Sequence, residues 1–278
     1  MLKAPPPSRK RYLMPSVFWG IRQNLPRWLK IVISITALLV PLVVWSFLSY
    51  GGWVTPIFLP TPTAVLQAGR QMFMEENLLL DITASSYRVF LGFMVAAAVG
   101  VPIGIAMGTF QSMESLFSPI VGTVRYMPVA AFVPLIVLWL GLDEPTRITI
   151  IFLGIVFYNA IMVADAVKFI PNELLSVAYT LGANRLNVLM RVIVPAIIPS
   201  IIDTLRVNVA GAWNYLVISE LIASENGLGF RVVQSQRYLQ TDKVLFTIAL
   251  IGLIGLLTDF AFKLLFNLVT PWAERSTT

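Results

Sequence analysis

Charged side chains inside long apolar stretches are the residues of this sequence whose types could do chemistry. Arg125 and Arg206 could attract an anion. Acids in the same stretches could transfer protons, namely Asp165, Asp203 and Asp259. The chain contains neither cysteine nor histidine, so it lacks the usual thiolate and imidazole metal ligands and the Cys or Ser–His nucleophiles. We therefore expect no catalytic residue, no metal site and no cofactor-binding residue.

The composition predicts a protein that lies in a lipid bilayer. Of the 278 residues, 57% are hydrophobic and 12% are charged, and the mean hydropathy is +0.80. The net charge of +6 is concentrated near the start, where seven Lys and Arg residues precede the first apolar run with no acid among them. This asymmetry is typical of a cytoplasmic segment of a membrane protein and not of a nucleic-acid-binding surface.

The longest polar interruption between apolar stretches covers about residues 168–195. Pro171 and Asn172 suit the start of a short helix, and Gly182 suits its end in a left-handed cap. The apolar residues of this helix are expected on one side, at Leu174, Leu175, Ala178 and Tyr179. A second amphipathic helix should follow, and Pro195 marks where the chain would bend into the next span. Two short helices joined at a glycine predict a docking surface.

The spacing of this loop resembles the EAA loop of permease subunits of ATP-binding-cassette (ABC) importers. That pattern has a small-residue triplet, three residues, a glycine, nine residues and an apolar-x-apolar-proline. Ala178, Gly182 and Pro195 match it, whereas Ser176 replaces the glutamate for which the motif is named. The resemblance implies that the loop couples to an ATPase subunit, and the candidate coupling residues are Glu173, Ser176, Ala178, Gly182, Arg185, Arg191 and Pro195.

Other stretches resemble the nitrate, sulfonate, taurine and bicarbonate branch of this binding-protein-dependent family. They are the Leu-Pro-Thr-Pro run at 59–62, the Arg-Tyr-Met-Pro run at 125–128 and the Ser-Glu-Asn-Gly-Leu-Gly run at 224–229. The fifth span carries an arginine and an Ala-Trp pair, as the family does. The candidate residues of a translocation pathway are Arg125, Pro128, Arg206, Trp213 and Glu220.

Six apolar stretches are long enough to cross a bilayer. One passes through Gly100, Gly104 and Gly108, whose spacing predicts a close helix–helix seam, and the others cover 31–50, 115–142, 148–164, 195–222 and 244–268. The third contains three prolines, which predicts that it faces the protein interior. The expected fold is therefore an all-α membrane protein with six transmembrane helices within residues 31–270, and the resemblance implies a type I ABC importer permease with cytoplasmic coupling helices.

Charge distribution predicts the orientation of these spans. The arm at 1–30, the loop at 168–195 and the tail at 271–278 together hold eleven Lys and Arg residues, against five in the segments on the other side. Positive charge favours the cytoplasm, so both termini and the loop should lie there. The arm, which also contains two tryptophans, is expected to be amphipathic and to lie along the membrane lipid.

Function follows from the resemblance and from one missing motif. No Gly-x-x-x-x-Gly-Lys-Ser/Thr loop is present, so partner subunits would bind the ATP. The resemblance implies a bacterial inner-membrane complex of two permease copies, two ATPases and an extracytoplasmic substrate-binding protein, with no nucleic acid. It would import a small anion such as nitrate, bicarbonate or a sulfonate. Alternatives are a permease for a small neutral heterocycle, an ion-coupled secondary transporter and an intramembrane enzyme.

The role of the charged residues of the fifth span has two interpretations. Asp203 and Arg206 are three positions apart, so on a helix they could form a structural ion pair. Alternatively, Arg206 and Arg125 together could supply positive potential to an anion that crosses the membrane.

Overall fold

A computed structural model describes residues 25–271 of the chain, and these divide into two compact units at residue 62. The first unit contains helix α1, Arg27–Tyr50, which is about 36 Å long at 1.5 Å per residue. The loop after it folds back so that Trp45 Nε1 donates a hydrogen bond to the Pro60 carbonyl at 2.9 Å. Most of the predicted cytoplasmic arm, and all but the first residue of the predicted tail, lie outside the described residues.

The second unit contains the remaining helices, and the part of the chain described here has no β-strand. In chain order they are α2 Pro62–Glu75, α3 Leu78–Thr109, α4 Gln111–Val124, α5 Val129–Leu140, α6 Glu144–Lys168, α7 Asn172–Thr180, α8 Arg185–Val188, a π-helical turn Leu189–Ile193, α9 Val194–Ala223, α10 Leu228–Arg237 and α11 Thr241–Val269.

Five helical segments among the described residues are long and apolar enough to cross a membrane, and the pair α4 and α5 makes a sixth if it counts as one broken span. The prediction of a six-span, all-α protein is therefore confirmed in its class. The span expected over 115–142, which contains three prolines, is broken: α4 and α5 meet there at an angle of 99°. Pro128 lacks an N–H and disfavours a helical conformation at the residue before it, and the chain leaves the helical course between Val124 and Val129.

The core of the second unit is built on α6, which packs against α3 on one side and against α9 on another. The glycines of α3 line the seam with α6: a Cβ atom at Gly104 would lie 2.5 Å from the Ala160 carbonyl oxygen. The predicted seam through Gly100, Gly104 and Gly108 is confirmed, because small residues allow two helix backbones to approach this closely. Phe93, Ile155 and Trp213 lie in the main buried cluster, where α9 also meets α11.

The helix directions define two ends of this unit. Successive glycines of α3 contact successive residues of α6 in the same order, so these two helices run parallel. Helix α9 runs the other way, because Glu220 near its end contacts Ser85 near the start of α3. We call the end where α6 leads into α7 the loop end, and the opposite end, where α3 and α6 begin and α9 finishes, the junction end.

Candidate functional site

The loop end carries the predicted docking loop, and its glycine ends α7 as expected. Gly182 has a φ of +83°, a left-handed conformation that costs a residue with a Cβ atom more than it costs glycine. The Gly182 N–H donates to the Tyr179 carbonyl at 2.9 Å, and the Ala183 N–H donates to the Ala178 carbonyl at 3.0 Å. This is the Schellman arrangement, and the Asn184 side chain then caps α8 by accepting from the Asn187 N–H.

The outer face of this loop is apolar and open. The prediction that four residues of α7 share one side was partly wrong, because Leu175 and Ala178 pack inward against the cluster of Val163, Val167 and Val188. The exposed set consists of large apolar side chains on α7, on α8 and in the connection between them, where Leu181 is 82% exposed: Leu174, Val177, Tyr179, Leu181 and Leu186. We call these five residues the docking surface.

The predicted second docking helix is not a separate element, and Pro195 lies within the helical segment that continues from it. Residues Arg185–Ile222 form one continuous helix of 38 residues. A π-helical turn at Leu189–Ile193 precedes Pro195, and its Val194 N–H bonds to the Leu189 carbonyl. The wider turn shifts the hydrogen-bond register just where the proline ring would otherwise meet the preceding turn.

The polar coupling candidates lie on the surface of this loop. Glu173 occupies the first turn of α7, and Ser176 is exposed, with its hydroxyl donating to the Asn172 carbonyl at 2.9 Å within its own helix. Arg185 and Arg191 are also exposed. None of these four forms an ion pair among the described residues, so the face around the docking surface presents open charge and hydroxyl groups.

A cavity of about 320 Å³ lies where α4 and α5 meet. We call it the break cavity. Its walls come from the connection 124–130 and from α6 and α9, and they are mostly apolar or aromatic: Tyr126, Phe132, Phe157, Tyr158 and Tyr215. Arg125 and Pro128, both pathway candidates, line it. Among the described lining residues, Arg125 alone is charged.

The guanidinium of Arg125 has little to bind within the protein. Its Nη2 donates to the hydroxyl of Tyr126 at 2.8 Å, and the charge lies over the ring of the same tyrosine, 4.6 Å from its centre. Its buried Nε has no hydrogen-bond partner. The backbone is held in place, since the Tyr158 hydroxyl donates to the Arg125 carbonyl at 3.3 Å. No acid pairs with Arg125 in the part of the chain that the structure describes.

Arg206 and Trp213 do not join Arg125. The predicted partner Asp203 lies 3.7 Å from Arg206, but Asp259 on α11 is much closer, with Oδ1 at 2.6 Å from Arg206 Nε. The expectation of a local pair was therefore incomplete, because the stronger contact crosses to another helix. Trp213 is buried in the core and donates from Nε1 to the Thr258 hydroxyl at 3.2 Å. Neither side chain lines the break cavity.

A buried ionic cluster closes the junction end, and Arg88 is its centre. The guanidinium makes a bidentate pair with Glu144 at 2.6 and 2.8 Å and a second pair with Glu220 at 2.7 Å. Further donations reach the carbonyl of Asn226 at 2.9 Å and its side-chain oxygen at 2.6 Å. All five donor hydrogens of an arginine are thus engaged, although the side chain is only 1% exposed.

Glu220, another pathway candidate, belongs to this cluster and does not line the break cavity. Its carboxylate is fully buried and accepts from the Ser85 hydroxyl at 2.8 Å and from the Gly229 N–H at 2.7 Å. The turn after α9 is fixed in the same way, since the Gly227 N–H donates to Asp81 at 2.6 Å. We call this set, Asp81, Ser85, Arg88, Glu144, Glu220 and Asn226, the junction cluster.

Sequence analysis missed most of these contacts. Neither Arg88 nor Glu144 was a site candidate, and Tyr158 and Tyr215 were not noted. One signal was available: Ser85, Arg88 and Glu220 are polar residues within apolar spans, and such residues normally face protein or water. Their pairing could not be read from the sequence, because Arg88 and Glu220 are 132 residues apart.

Several apolar helices, an exposed apolar loop and a cavity at a helix break together describe a membrane protein with several spans. Comparison with known proteins specifies it further. Residues 100–271 match the family described as the binding-protein-dependent transport system inner membrane component, and the chain belongs to this family. Its members are ABC importer permease subunits, which are not enzymes, because partner subunits hydrolyse the ATP. The predicted family and class are therefore confirmed.

Curated relatives fall in the predicted branch. The chain is 36% identical over 248 residues to the taurine transport system permease protein TauC of Escherichia coli (strain K12), covering 87% of this chain and 90% of the relative. It is 30% identical over 269 residues to the putative aliphatic sulfonates transport permease protein SsuC of Bacillus subtilis (strain 168), covering 96% of this chain and 90% of the relative.

A solved structure supports the fold. The chain is similar to a chain of the MetNI methionine ABC transporter in inward-facing conformations, with a TM-score of 0.63 at 19% identity. The match covers 71% of this chain and 98% of that chain. The type I importer permease fold expected from the sequence is thus confirmed.

Proposed function

We propose that this chain forms the translocation pathway for a small anion, such as a sulfonate, nitrate or bicarbonate, in an ATP-driven importer. The substrate class is supported by the named relatives, and the observation that carries the proposal is the break cavity with its single charged lining residue, Arg125. A path through this cavity uses Arg125 and Pro128 of the predicted pathway residues.

Coupling is assigned to the loop end. The docking surface leaves large apolar side chains open to solvent, which is typical of a surface that binds another protein. An ATPase subunit that binds there would also contact the surrounding polar residues, which are Glu173, Ser176, Arg185 and Arg191. Gly182 and Ala178 would act through the turn geometry, and Pro195 through the continuous helix that leads into the membrane.

The proposed assembly has two copies of the chain, two ATPase subunits and an extracytoplasmic binding protein, in a bacterial inner membrane. Both termini and the loop end would be cytoplasmic, and the junction end would face outward. Impermeant thiol reagents check this orientation in intact cells, because the chain has no native cysteine. The variant Asn226→Cys should be labelled from outside and Leu181→Cys should not; the reverse pattern would contradict the orientation.

The main experiment joins purification with transport. The chain is expressed together with the ATPase and binding-protein genes of its own operon, purified in detergent and reconstituted in proteoliposomes. We expect an ATPase to co-purify, and uptake of radiolabelled 2-aminoethanesulfonate or nitrate to require ATP. Anion uptake by the chain alone, driven by a proton gradient, would instead support a secondary transporter. ATP-dependent uptake of a neutral heterocycle without anion uptake would correct the substrate class only.

Gly182→Val tests the coupling loop within this complex. A branched residue in the left-handed region costs about 1 to 2 kcal/mol, and relief of that strain would displace α8 relative to α7. We expect normal membrane expression with loss of ATP-driven uptake. Gly182→Asn is the matched control, since asparagine adopts this conformation more readily, and it should keep most of the uptake. Full uptake by Gly182→Val would refute the role of the turn.

A further inference from the structure

We propose that the break cavity is a binding site for a small organic anion of the sulfonate type, with Arg125 as the group that binds its charge. The inference rests on the proposed function and gives that pathway a specific contact. It concerns one residue and one cavity within the second unit, so its test can fail while the transport function stands.

The charge of Arg125 is not paired with an acid among the described residues. Arginines within apolar spans normally pair with an acid or face water. Arg88, Arg147 and Arg206 follow this rule and each contact at least one carboxylate at 2.7 Å or less. Arg125 contacts none among the described residues, and its buried Nε lacks a partner. A buried donor without an acceptor is costly, so an anion that accepts from this group would gain stability from an interaction that the protein itself leaves open.

The size and lining of the break cavity suit a small organic anion. Its volume of about 320 Å³ lies at the lower end of the range of roughly 300 to 1,000 Å³ that is typical of small-molecule sites. Aromatic side chains line the cavity together with Arg125: Tyr126, Phe157, Tyr158 and Tyr215. Such walls favour an anion with an organic part over a fully hydrated inorganic ion, because they remove apolar surface from water. A guanidinium binds planar pairs of acceptor oxygens in a fork, and a sulfonate group offers such a pair.

Arg125 is held in place at the connection between α4 and α5. Its backbone carbonyl accepts from Tyr158 on α6, and its guanidinium lies against Tyr126. Pro128 ends the connection and fixes the start of α5. A pre-positioned charge loses little conformational entropy when a ligand binds. The bent connection between α4 and α5 therefore holds the charge at the cavity, where a straight helix could not.

The test uses thiol reagents that carry the proposed chemistry. The full chain with Ala130→Cys, at a lining position, is purified with its ATPase partners in an uncharged alkyl maltoside detergent, so that no lipid phosphate competes. Labelling rates are measured without ATP for sulfonatoethyl methanethiosulfonate and for its trimethylammonium counterpart, each relative to free cysteine. We expect the sulfonate reagent to be favoured on the order of tenfold, as expected for attraction by a focused charge.

Three variants, each combined with Ala130→Cys, test whether Arg125 causes the preference for the sulfonate reagent. Arg125→Gln should abolish it and Arg125→Lys should keep most of it, whereas Met127→Gln, a polar substitution at a neighbouring lining position, should leave it intact. Excess methanesulfonate should slow the labelling with Arg125 in place, and neutral dimethyl sulfone should not. Size-exclusion profiles confirm that each variant remains folded and assembled.

Specific outcomes would overturn the inference. These are equal rates for the two reagents with Arg125 present, a preference that survives Arg125→Gln, or no protection by methanesulfonate. No reaction at either Ala130→Cys or Val129→Cys would show that the cavity is closed to such ligands, which also refutes it. ATP-dependent anion uptake is measured separately, so uptake without charge-selective labelling would remove this site and leave the proposed function in place.

Discussion

Arg88 and Arg125 both lie within apolar spans of this permease, but the partners of their guanidinium groups differ. Arg88 lies at the junction end with every donor engaged by two carboxylates and the Asn226 turn. Arg125 lies at the break cavity with one side-chain hydrogen bond, to a neighbouring tyrosine, and a buried Nε that has no hydrogen-bond partner among the described residues. The same side chain thus serves as a completed structural centre in one place and as an open binding group in the other.

A buried arginine whose hydrogen-bond donors are all engaged by the protein has a structural role, whereas one with an unengaged donor is available to bind a ligand. A buried ion pair contributes modestly to stability while it is intact, but the loss of one partner leaves the other charge buried and alone. Removal of Arg88 would leave the carboxylate of Glu220 in this state. Arg125 leaves no protein carboxylate behind if it is removed, so its loss should change ligand binding more than folding.

The largest expected effect is that of Arg88→Gln. This change strips Glu220 of its only cation among the described residues and Glu144 of its bidentate partner, and we expect a loss of about 3 to 5 kcal/mol in the free energy of unfolding. Thermal unfolding of the purified permease in detergent, together with its membrane yield, measures the effect. Arg70→Gln, on the exposed face of α2, is the matched control. Wild-type stability of Arg88→Gln would erase the contrast.

A smaller effect is expected for Arg206, which lies between the two extremes. Its side chain is 34% exposed and binds Asp259, which Lys263 also contacts at 2.8 Å. Because such a part-exposed pair contributes little, Arg206→Gln should cost about 1 kcal/mol or less. Exchange of Arg206 and Asp259 should restore only part of the stability that either single reversal loses, because it places like charges beside Asp203 and Lys263. Rescue by exchange with Asp203 instead would show that the local pair dominates.

The smallest effect on folding is expected for Arg125→Gln. The substitution breaks no ion pair among the described residues, so the unfolding free energy should stay within about 0.5 kcal/mol of the wild type. Anion uptake by the reconstituted complex should nevertheless fall at least tenfold, while basal ATP hydrolysis persists. If Arg125→Gln destabilised the protein as much as Arg88→Gln, Arg125 would be a structural residue and the comparison would fail.

The fold class and the loop cap were within reach of the sequence, for local reasons. Long apolar stretches predict membrane helices wherever they occur, and the left-handed cap depends only on Gly182 and its neighbours. The 99° break and the π-helical turn were not predicted. Prolines indicate where a helix is disturbed but not how: Pro128 separates two helices, whereas Pro195 lies within a continuous one.

The candidate site was only partly predicted for a different reason. Arg125 and Pro128, which line the break cavity, are sequence neighbours in a recognisable run. Glu220 lies in the junction cluster and Arg88 was not a candidate, and their contact joins residues 132 positions apart. Asp259 was likewise 53 positions from Arg206. Side-chain partners across helices depend on packing, which hydropathy does not encode.

The uninterrupted helix from Arg185 to Ile222 has a mechanical consequence. It begins at the loop end and carries Tyr215 of the cavity wall, and the 30 residues between Arg185 and Tyr215 measure about 45 Å at 1.5 Å per residue. A stiff rod of that length amplifies small rotations: a tilt of about 5° at one end moves the other by roughly 4 Å, close to the width of an aromatic ring. The π-helical turn at its base and the prolines that follow, Pro195 and Pro199, are the places where the angle of this lever can be set.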